Sequence, residues 1–182
     1  MAGQDIKSYW QKKNAIDEEY WNDINWKAFQ TAQKEQPMGK KRWSAKFATS
    51  HCGTGRMMHR RKEWSHDQCP VCGQPDEDTH HVLQCPEATH KWNKEMTALA
   101  EALAEAKTDP LVTKGLIQML NSWRNNTPLG RWDARTSPHL QKALEAQLGL
   151  GGWNTMMGRV SKQLTEWKSN LFTQDKSRRS RH

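Results

Sequence analysis

The sequence predicts a mainly α-helical protein, and three observations lead to this prediction. Apolar residues recur at alternating three- and four-residue steps over long parts of the chain. Helix-starting signals precede several of these stretches. No segment shows sustained alternation of β-branched and polar residues, so we expect any strand to be confined to a small hairpin at a cysteine-rich segment in the middle of the chain.

The first helix is expected to begin at Asp17, whose side chain can cap it, with Glu18 and Glu19 in the first turn. It should end near Pro37. Its apolar stripe consists of Trp21, Ile24, Ala28 and Ala32.

Four more helices are expected after the cysteine-rich segment. Asp109–Pro110 and Ser137–Pro138 each combine a capping side chain with a proline at the first helical position, and both therefore mark helix starts. Glycines at 149, 151 and 152 should end the third of these helices. The four apolar stripes are Trp92, Met96, Leu99, Leu103 and Ala106; Val112, Leu116, Met119, Leu120 and Trp123; Leu140, Leu144 and Leu148; and Met157, Val160, Leu164, Trp167 and Leu171.

Composition limits the class of protein. The chain has 182 residues and a mean hydropathy of −1.03. It lacks an apolar run of the roughly 18 residues that a membrane span requires. Residues 1–13 resemble neither a signal nor a transit peptide, so we expect an intracellular protein that does not enter membranes. The excess of 28 Lys and Arg over 20 Asp and Glu, a net charge of +8, favours an anionic partner such as nucleic acid.

The middle of the chain carries a candidate metal site. Cys69 and Cys72 are spaced as in a zinc knuckle, and Gly73 allows the backbone to turn tightly after them. His81 and Cys85 follow at an i, i+4 step, which places them on one face of a helical turn. Together these side chains form a Cys3His set suited to tetrahedral Zn²⁺.

Two features of this site stay open. His80, next to His81, is either an alternative ligand or a residue that supports the ligand ring. Glu77 is a candidate general base for a catalytic zinc, but four protein ligands already complete a tetrahedron, which favours a closed structural site.

The sequence around the ligands resembles a known region. Thr49-Ser50-His51, Met58-His59-Arg60, the knuckle at 69–73 and the run from His81 to Pro86 are similar to the reverse-transcriptase zinc-binding region, which lies downstream of the polymerase in non-long-terminal-repeat retrotransposons. In that family a Thr-Gly-His motif and a short basic helix precede the knuckle; here Ser50 replaces the glycine. The resemblance covers about residues 43 to 92.

A second, looser likeness and one departure accompany this resemblance. Gln147–Gly149, Gly152–Ser161 and Trp167 are similar to a segment that follows such knuckles in retroelement-derived proteins. A polymerase needs a Tyr/Phe-x-Asp-Asp motif in a large palm domain, and residues 20–23, the nearest match, lack the first aspartate. We therefore expect no enzymatic activity.

Positive charge and aromatic residues suggest a nucleic-acid surface. Trp43 and Trp64 flank the basic stretch and are candidates for stacking on bases. The alternatives are a solvated charged face and tryptophans that belong to the core. The candidate phosphate-binding residues are Lys40, Lys41, Arg42, Arg56, Arg60, Arg61 and Lys62.

The sequence divides into an N-terminal helical segment (1–42), a zinc-binding region (43–92), a helical domain (93–173) and a basic tail (174–182) that should be disordered and is compatible with a nuclear address. The leading hypothesis is a non-catalytic, retroelement-derived zinc module that binds RNA or DNA. The alternatives are a zinc-stabilised protein-interaction scaffold and a retroelement remnant without selected activity. Oligomeric state and the choice between nucleus and cytoplasm stay open.

Overall fold

The computed structural model describes residues 7–9, 11, 12, 16 and 18–167. They form a mainly α-helical fold, as predicted, and residues 162–167 are also helical. The expected tail at 174–182 lies outside the described residues. The helices with defined bounds are α1 (Glu18–Asp23), α2 (Trp26–Glu35), α3 (Met38–Ala48), α4 (Gly55–Arg60), α5 (Thr79–Gln84), α6 (Thr89–Glu105), α7 (Pro110–Arg124), α8 (Pro138–Gly149) and α9 (Gly152–Met156), with a 3₁₀ turn at Pro86–Ala88.

The described residues contain no β-strand. Their one isolated bridge joins Ile24 to Ser161, and neither residue belongs to the cysteine-rich segment. The hairpin considered for that segment is not formed, because turns and the short helix α5 organise the chain there.

The prediction of a single helix through Trp21 and Ala32 is wrong, because α1 ends at Asp23 and α2 begins at Trp26. Ile24 is fully buried in the bridge to Ser161, and the Asn25 N–H donates to the Val160 carbonyl at 2.8 Å. The Asn25 side chain then caps α2 by accepting from the Ala28 N–H at 3.0 Å. The predicted cap Asp17 lies outside the described residues.

The two proline-led starts are confirmed. The Asp109 carboxylate accepts from the Leu111 N–H at 2.7 Å, and the Ser137 hydroxyl accepts from the Leu140 N–H at 3.3 Å. The stripes of α6, α7 and α8 supply much of the core. The buried hydrophobic residues of these helices are Trp92, Met96, Val112, Met119, Leu120, Leu140, Ala143 and Leu144.

The last predicted helix begins later than expected. Met157 follows α9, and Gly158 turns the chain with a φ of +76°. The helix over 162–167 then starts beside Ser161, whose hydroxyl accepts from the Leu164 N–H at 3.2 Å. The stripe residue Leu171 lies outside the described residues.

A buried glutamine fastens this end of the fold. Gln147 is completely buried, and its amide group donates to the Thr155 hydroxyl at 2.9 Å and to the Arg159 carbonyl at 3.0 Å. Its side-chain oxygen accepts from the Ser161 N–H at 2.8 Å. A fully hydrogen-bonded buried amide stabilises the fold, since leaving its partners unsatisfied is costly. Gln147 thereby ties α8 to α9 and to the chain that follows.

Helix α9 lies very close to α7. A Cβ atom added at Gly152 would lie 2.1 Å from Cγ of Trp123, so only glycine allows this approach.

We expect Gly152→Ala to lower the free energy of unfolding by about 1–3 kcal/mol, because the new methyl group would overlap the Trp123 ring. The control is Gly39→Ala in α3, where the added Cβ would meet nothing within 4 Å among the described residues. That change should raise stability by up to about 1 kcal/mol. Urea unfolding of both variants measures the difference, and equal stabilities would contradict the close contact.

Candidate metal centre

The structure brings together the four side chains predicted as ligands. The donor atoms of Cys69, Cys72, His81 and Cys85 all lie within 4.8 Å of one another. Sγ of Cys69 is 3.9 Å from Sγ of Cys85, and Sγ of Cys72 is 3.2 Å from Nε2 of His81. Tetrahedral zinc with ordinary bond lengths requires about 3.8 Å between two sulfurs and about 3.5 Å between sulfur and nitrogen. The group therefore fits a metal ion of this size.

The two neighbouring histidines have different roles. His81 points its ring into the donor group, and its backbone N–H donates to Oδ1 of Asp78 at 2.8 Å. Asp78 is the N-cap of α5, so the cap also orients the ligand. His80 stacks on Trp153, with ring centroids 4.0 Å apart and planes inclined by 21°. Of the two rings considered from the sequence, only that of His81 belongs to the donor group.

The backbone of the knuckle is folded by local hydrogen bonds. The Cys69 N–H donates to the Gln74 carbonyl at 2.8 Å, and the Gly73 N–H donates to the Cys69 carbonyl at 2.9 Å. Gly73 adopts a φ of +73°, which suits glycine. The Val71 N–H lies 3.4 Å from Sγ of Cys69, so a backbone donor supports the sulfur. This turn presents both thiol groups to the same point.

The chemistry of the donors favours a thiophilic cation. All four cysteines, which lie within residues 18–167, are free thiols. Burial raises the pKa of Cys69 to about 11, whereas the Gln74 N–H lowers the pKa of Cys72. Binding a metal ion must therefore displace a proton at Cys69. Three sulfurs and an imidazole suit Zn²⁺ far better than Mg²⁺ or Ca²⁺, and they fill a tetrahedron.

Glu77 connects the donor group to α4. It is only 6% exposed, its carboxylate accepts from the Gly55 N–H, and its carbonyl accepts from the Arg56 N–H at 3.0 Å. A Cβ atom on Gly55 would lie 2.4 Å from the Asp67 carbonyl oxygen, so α4 begins in close contact with the chain leading to Cys69. The glutamate considered as a general base thus holds the start of a helix.

The turn that precedes α4 also contacts α5. Ser50 adopts a φ of +58°, and its hydroxyl lies 3.2 Å from that of the buried Thr79. The Arg61 guanidinium donates to the His51 carbonyl at 3.1 Å. The segment 49–61 therefore packs against the segment that carries the donor group.

Arg124 supports Cys85, the fourth candidate ligand, and sequence reasoning missed it. Its guanidinium is buried and donates to the Cys85 carbonyl at 2.8 Å and to the Thr89 hydroxyl at 3.2 Å. It also lies 5.4 Å from the centroid of the Trp92 ring. Arg124 is separated from Cys85 by 39 positions, so no local spacing signals this contact.

The predicted basic residues fall into two groups. Arg56 forms an ion pair with Asp76 and lies 3.6 Å from Asp78, and Lys41 donates to the Lys34 carbonyl at 2.9 Å. The Arg56 pair places a compensating charge beside the cation, so Arg56 is poorly suited to bind phosphate. The predicted cations that are exposed and form no ion pair with another described residue are Lys40, Arg42, Arg60, Arg61 and Lys62.

The two candidate stacking residues also differ. Trp43 is 59% exposed and stacks on Phe47, with centroids 4.9 Å apart and planes inclined by 15°. Trp64 is half-buried and tilts against His66 at 5.9 Å. Only Trp43 presents a wide indole surface to solvent.

Comparisons with known proteins yield no relative: no protein-family model, curated protein or solved structure matches the chain. Among the described residues, no helix combines the length and apolar character needed to cross a membrane. The assignment of a candidate metal centre rests on the donor geometry described above.

The purified protein is expected to contain one zinc ion per chain. Cys72→Ser and His81→Ala should lose it, because each removes one of four ligands, and the melting temperature should fall by about 6–12 °C if roughly 3 kcal/mol is lost. His80→Ala is the matched control and should keep the ion. Elemental analysis and thermal melting measure both quantities. Retention of zinc by His81→Ala together with its loss from His80→Ala would contradict the ligand assignment.

A second expectation concerns Arg124. Arg124→Ala should lower the free energy of unfolding by about 2–4 kcal/mol and weaken zinc binding roughly tenfold, because the carbonyl of a ligand residue loses its charged donor. Arg131→Ala, which shortens an exposed arginine in the loop after α7, is the control. Competition with a chelator measures zinc affinity. Unchanged affinity in Arg124→Ala would show that α7 does not support the site.

Proposed function

We propose that this protein is a non-catalytic, zinc-organised helical module, derived from a retroelement protein, that binds RNA or DNA through α3 and α4. One observation carries the proposal: α4, which bears exposed cations, is held against the candidate metal site. The Gly55 N–H at its start donates to the Glu77 carboxylate, and Gly55 lies in close contact with the Asp67 carbonyl. Cations held in a rigid framework can contact phosphates at fixed positions without recognising the nucleotide sequence.

The charge distribution supports this surface. Helix α3 contains four cations and no acid, and Lys40, Arg42 and Lys46 on it are exposed. At the end of α4, Arg60, Arg61 and Lys62 are also exposed. Clustered cations release counterions from nucleic acid on binding, which supplies sequence-independent affinity.

The backbone at Ser50 supports the proposed family relationship. Ser50 stands where the reverse-transcriptase zinc-binding region carries the glycine of its Thr-Gly-His motif, and it adopts a φ of +58°. This left-handed conformation is one that glycine adopts without strain and other residues adopt rarely. A glycine preference at this position is therefore what the backbone requires.

A structural role for the metal is consistent with its surroundings. Four protein donors complete a tetrahedron, and a catalytic zinc needs one open position. The buried carboxylate of Glu77 is engaged by the Gly55 N–H. Both features favour a site that holds the fold together.

A protein-interaction scaffold is the second candidate, and one feature favours it. A cavity of about 420 Å³ lies between α2, α3 and the turn after α9, and most of its lining is apolar. The residues that shape it include Trp26, Phe29, Phe47 and Met156. Apolar hollows of this size accept side chains from a partner.

We expect salt-dependent binding to mixed RNA and DNA oligonucleotides. Neutralising four exposed cations of α3 and α4 should reduce the slope of log K against log salt by up to about 0.9 for each phosphate that the variant no longer binds. The variant combines Lys40→Gln, Arg42→Gln, Arg60→Gln and Lys62→Gln. The control removes the same charge from exposed positions elsewhere and combines Lys91→Gln, Lys94→Gln, Lys142→Gln and Lys162→Gln.

The control variant should retain most of the affinity. Equal losses in both variants would mean that overall charge, and not this surface, drives binding. Absent or salt-independent binding by the unchanged protein would refute the nucleic-acid function. Protein partners that persist after nuclease treatment would then favour the scaffold, and a lack of any partner would favour a remnant.

A further inference from the structure

Four aromatic rings are stacked in series across the molecule. Trp43 stacks on Phe47 at 4.9 Å, Phe47 on Trp153 at 5.5 Å, and Trp153 on His80 at 4.0 Å between centroids. The planes of successive rings differ by only 15°, 25° and 21°. The series joins α3 to α9 and to α5, next to the ligand His81.

The two ends of the series differ from its middle. Phe47 and Trp153 are 4% and 7% exposed, so their rings are held by the core. Trp43 is 59% exposed although Phe47 covers one of its faces. The indole therefore keeps a large exposed surface beyond the face that Phe47 covers, and Trp43 also contributes to the lining of the cavity between α2 and α3. A ring fixed in this way loses little conformational entropy when a ligand stacks on it.

Helix α3 carries exposed cations close to Trp43 in sequence. Lys40 and Lys46 lie three residues before and three residues after Trp43, which places all three on one side of α3. At 1.5 Å per residue, the two lysines are about 9 Å apart along the helix axis. Arg42 adds a third exposed cation.

We propose that Trp43 is a stacking site for an unpaired nucleobase of single-stranded RNA or DNA, with Lys40, Arg42 and Lys46 on the adjacent phosphates. This inference rests on the proposed function. Bases in a duplex are covered on both faces by their neighbours, so an indole on a helix surface can reach only a base outside a duplex. Aromatic platforms beside cationic surfaces bind single strands in this way without sequence preference.

Binding is measured by fluorescence anisotropy with a labelled twelve-nucleotide oligo(dT), the matching oligo(U), and a twelve-base-pair duplex. Trp43→Ala should weaken binding of both single strands about 5- to 150-fold, since one base–indole stack is removed. Binding of the duplex and the salt slope should not change, because no charge is removed. Trp43→Phe should keep most of the affinity, and Leu148→Ala, at another exposed apolar residue, should keep all of it.

A second measurement locates the contact directly in the unchanged protein. Ultraviolet cross-linking to a single strand that carries 5-iodouracil should attach the base to the α3 peptide that contains Trp43. Adducts confined to other peptides would overturn the site. This readout holds even if Trp43→Ala unfolds, which its melting temperature and zinc content reveal.

The outcomes separate this inference from the function on which it rests. Loss of binding with the α3 and α4 charge variant, but unchanged single-strand affinity in folded Trp43→Ala, would overturn the stacking site and leave the nucleic-acid function standing. Equal weakening of duplex and single strand by Trp43→Ala would also overturn it. Failure of the unchanged protein to bind any of the three oligonucleotides would overturn both the stacking site and the nucleic-acid function. A protein partner would then be the favoured ligand of the Trp43 surface.

Discussion

The convergence of three thiol groups and one imidazole within 4.8 Å is the constraint on which much of the structure depends. Three thiolates at this separation repel one another strongly unless a cation lies between them. Hydrogen bonds also orient the donor segments and connect them to α4 and α7. The Asp78 cap orients His81, Glu77 connects the knuckle to α4, and Arg124 brings α7 to the Cys85 carbonyl. A metal ion here would therefore join segments that are distant in sequence.

The proposed binding surface depends on the same framework. His80 stacks on Trp153 and ends the aromatic series that begins at Trp43, so ring contacts link α3 to the helix that carries His81. Charge near the centre is balanced locally: Asp76 neutralises Arg56, whereas the cations of α3 have no acid on their own helix. The net charge of +8 is thus less informative than its placement.

The helical half of the molecule is held by a different kind of contact. Apolar stripes of α6, α7 and α8 form its core, but two buried polar residues fix how the helices are arranged. Gln147 joins α8 to the chain that follows α9. Arg124, at the end of α7, donates to the Thr89 hydroxyl at the start of α6. Removing either member of such a buried hydrogen bond leaves the other without a partner, which is costly. They specify one arrangement among the many that apolar stripes allow.

The sequence by itself determined the helical class, the starts of α7 and α8, and the four side chains of the candidate metal site. These features depend on caps, periodicity and ligand spacing, which act over a few neighbouring residues. Tertiary structure alone decided that Ile24 breaks the first helix, that His80 stacks on Trp153, and that Arg56 is paired. It also left Trp43 exposed and Trp64 partly buried. These outcomes join residues 20 to more than 100 positions apart, as Arg56–Asp76 and Ile24–Ser161 illustrate, and no local pattern encodes such pairs.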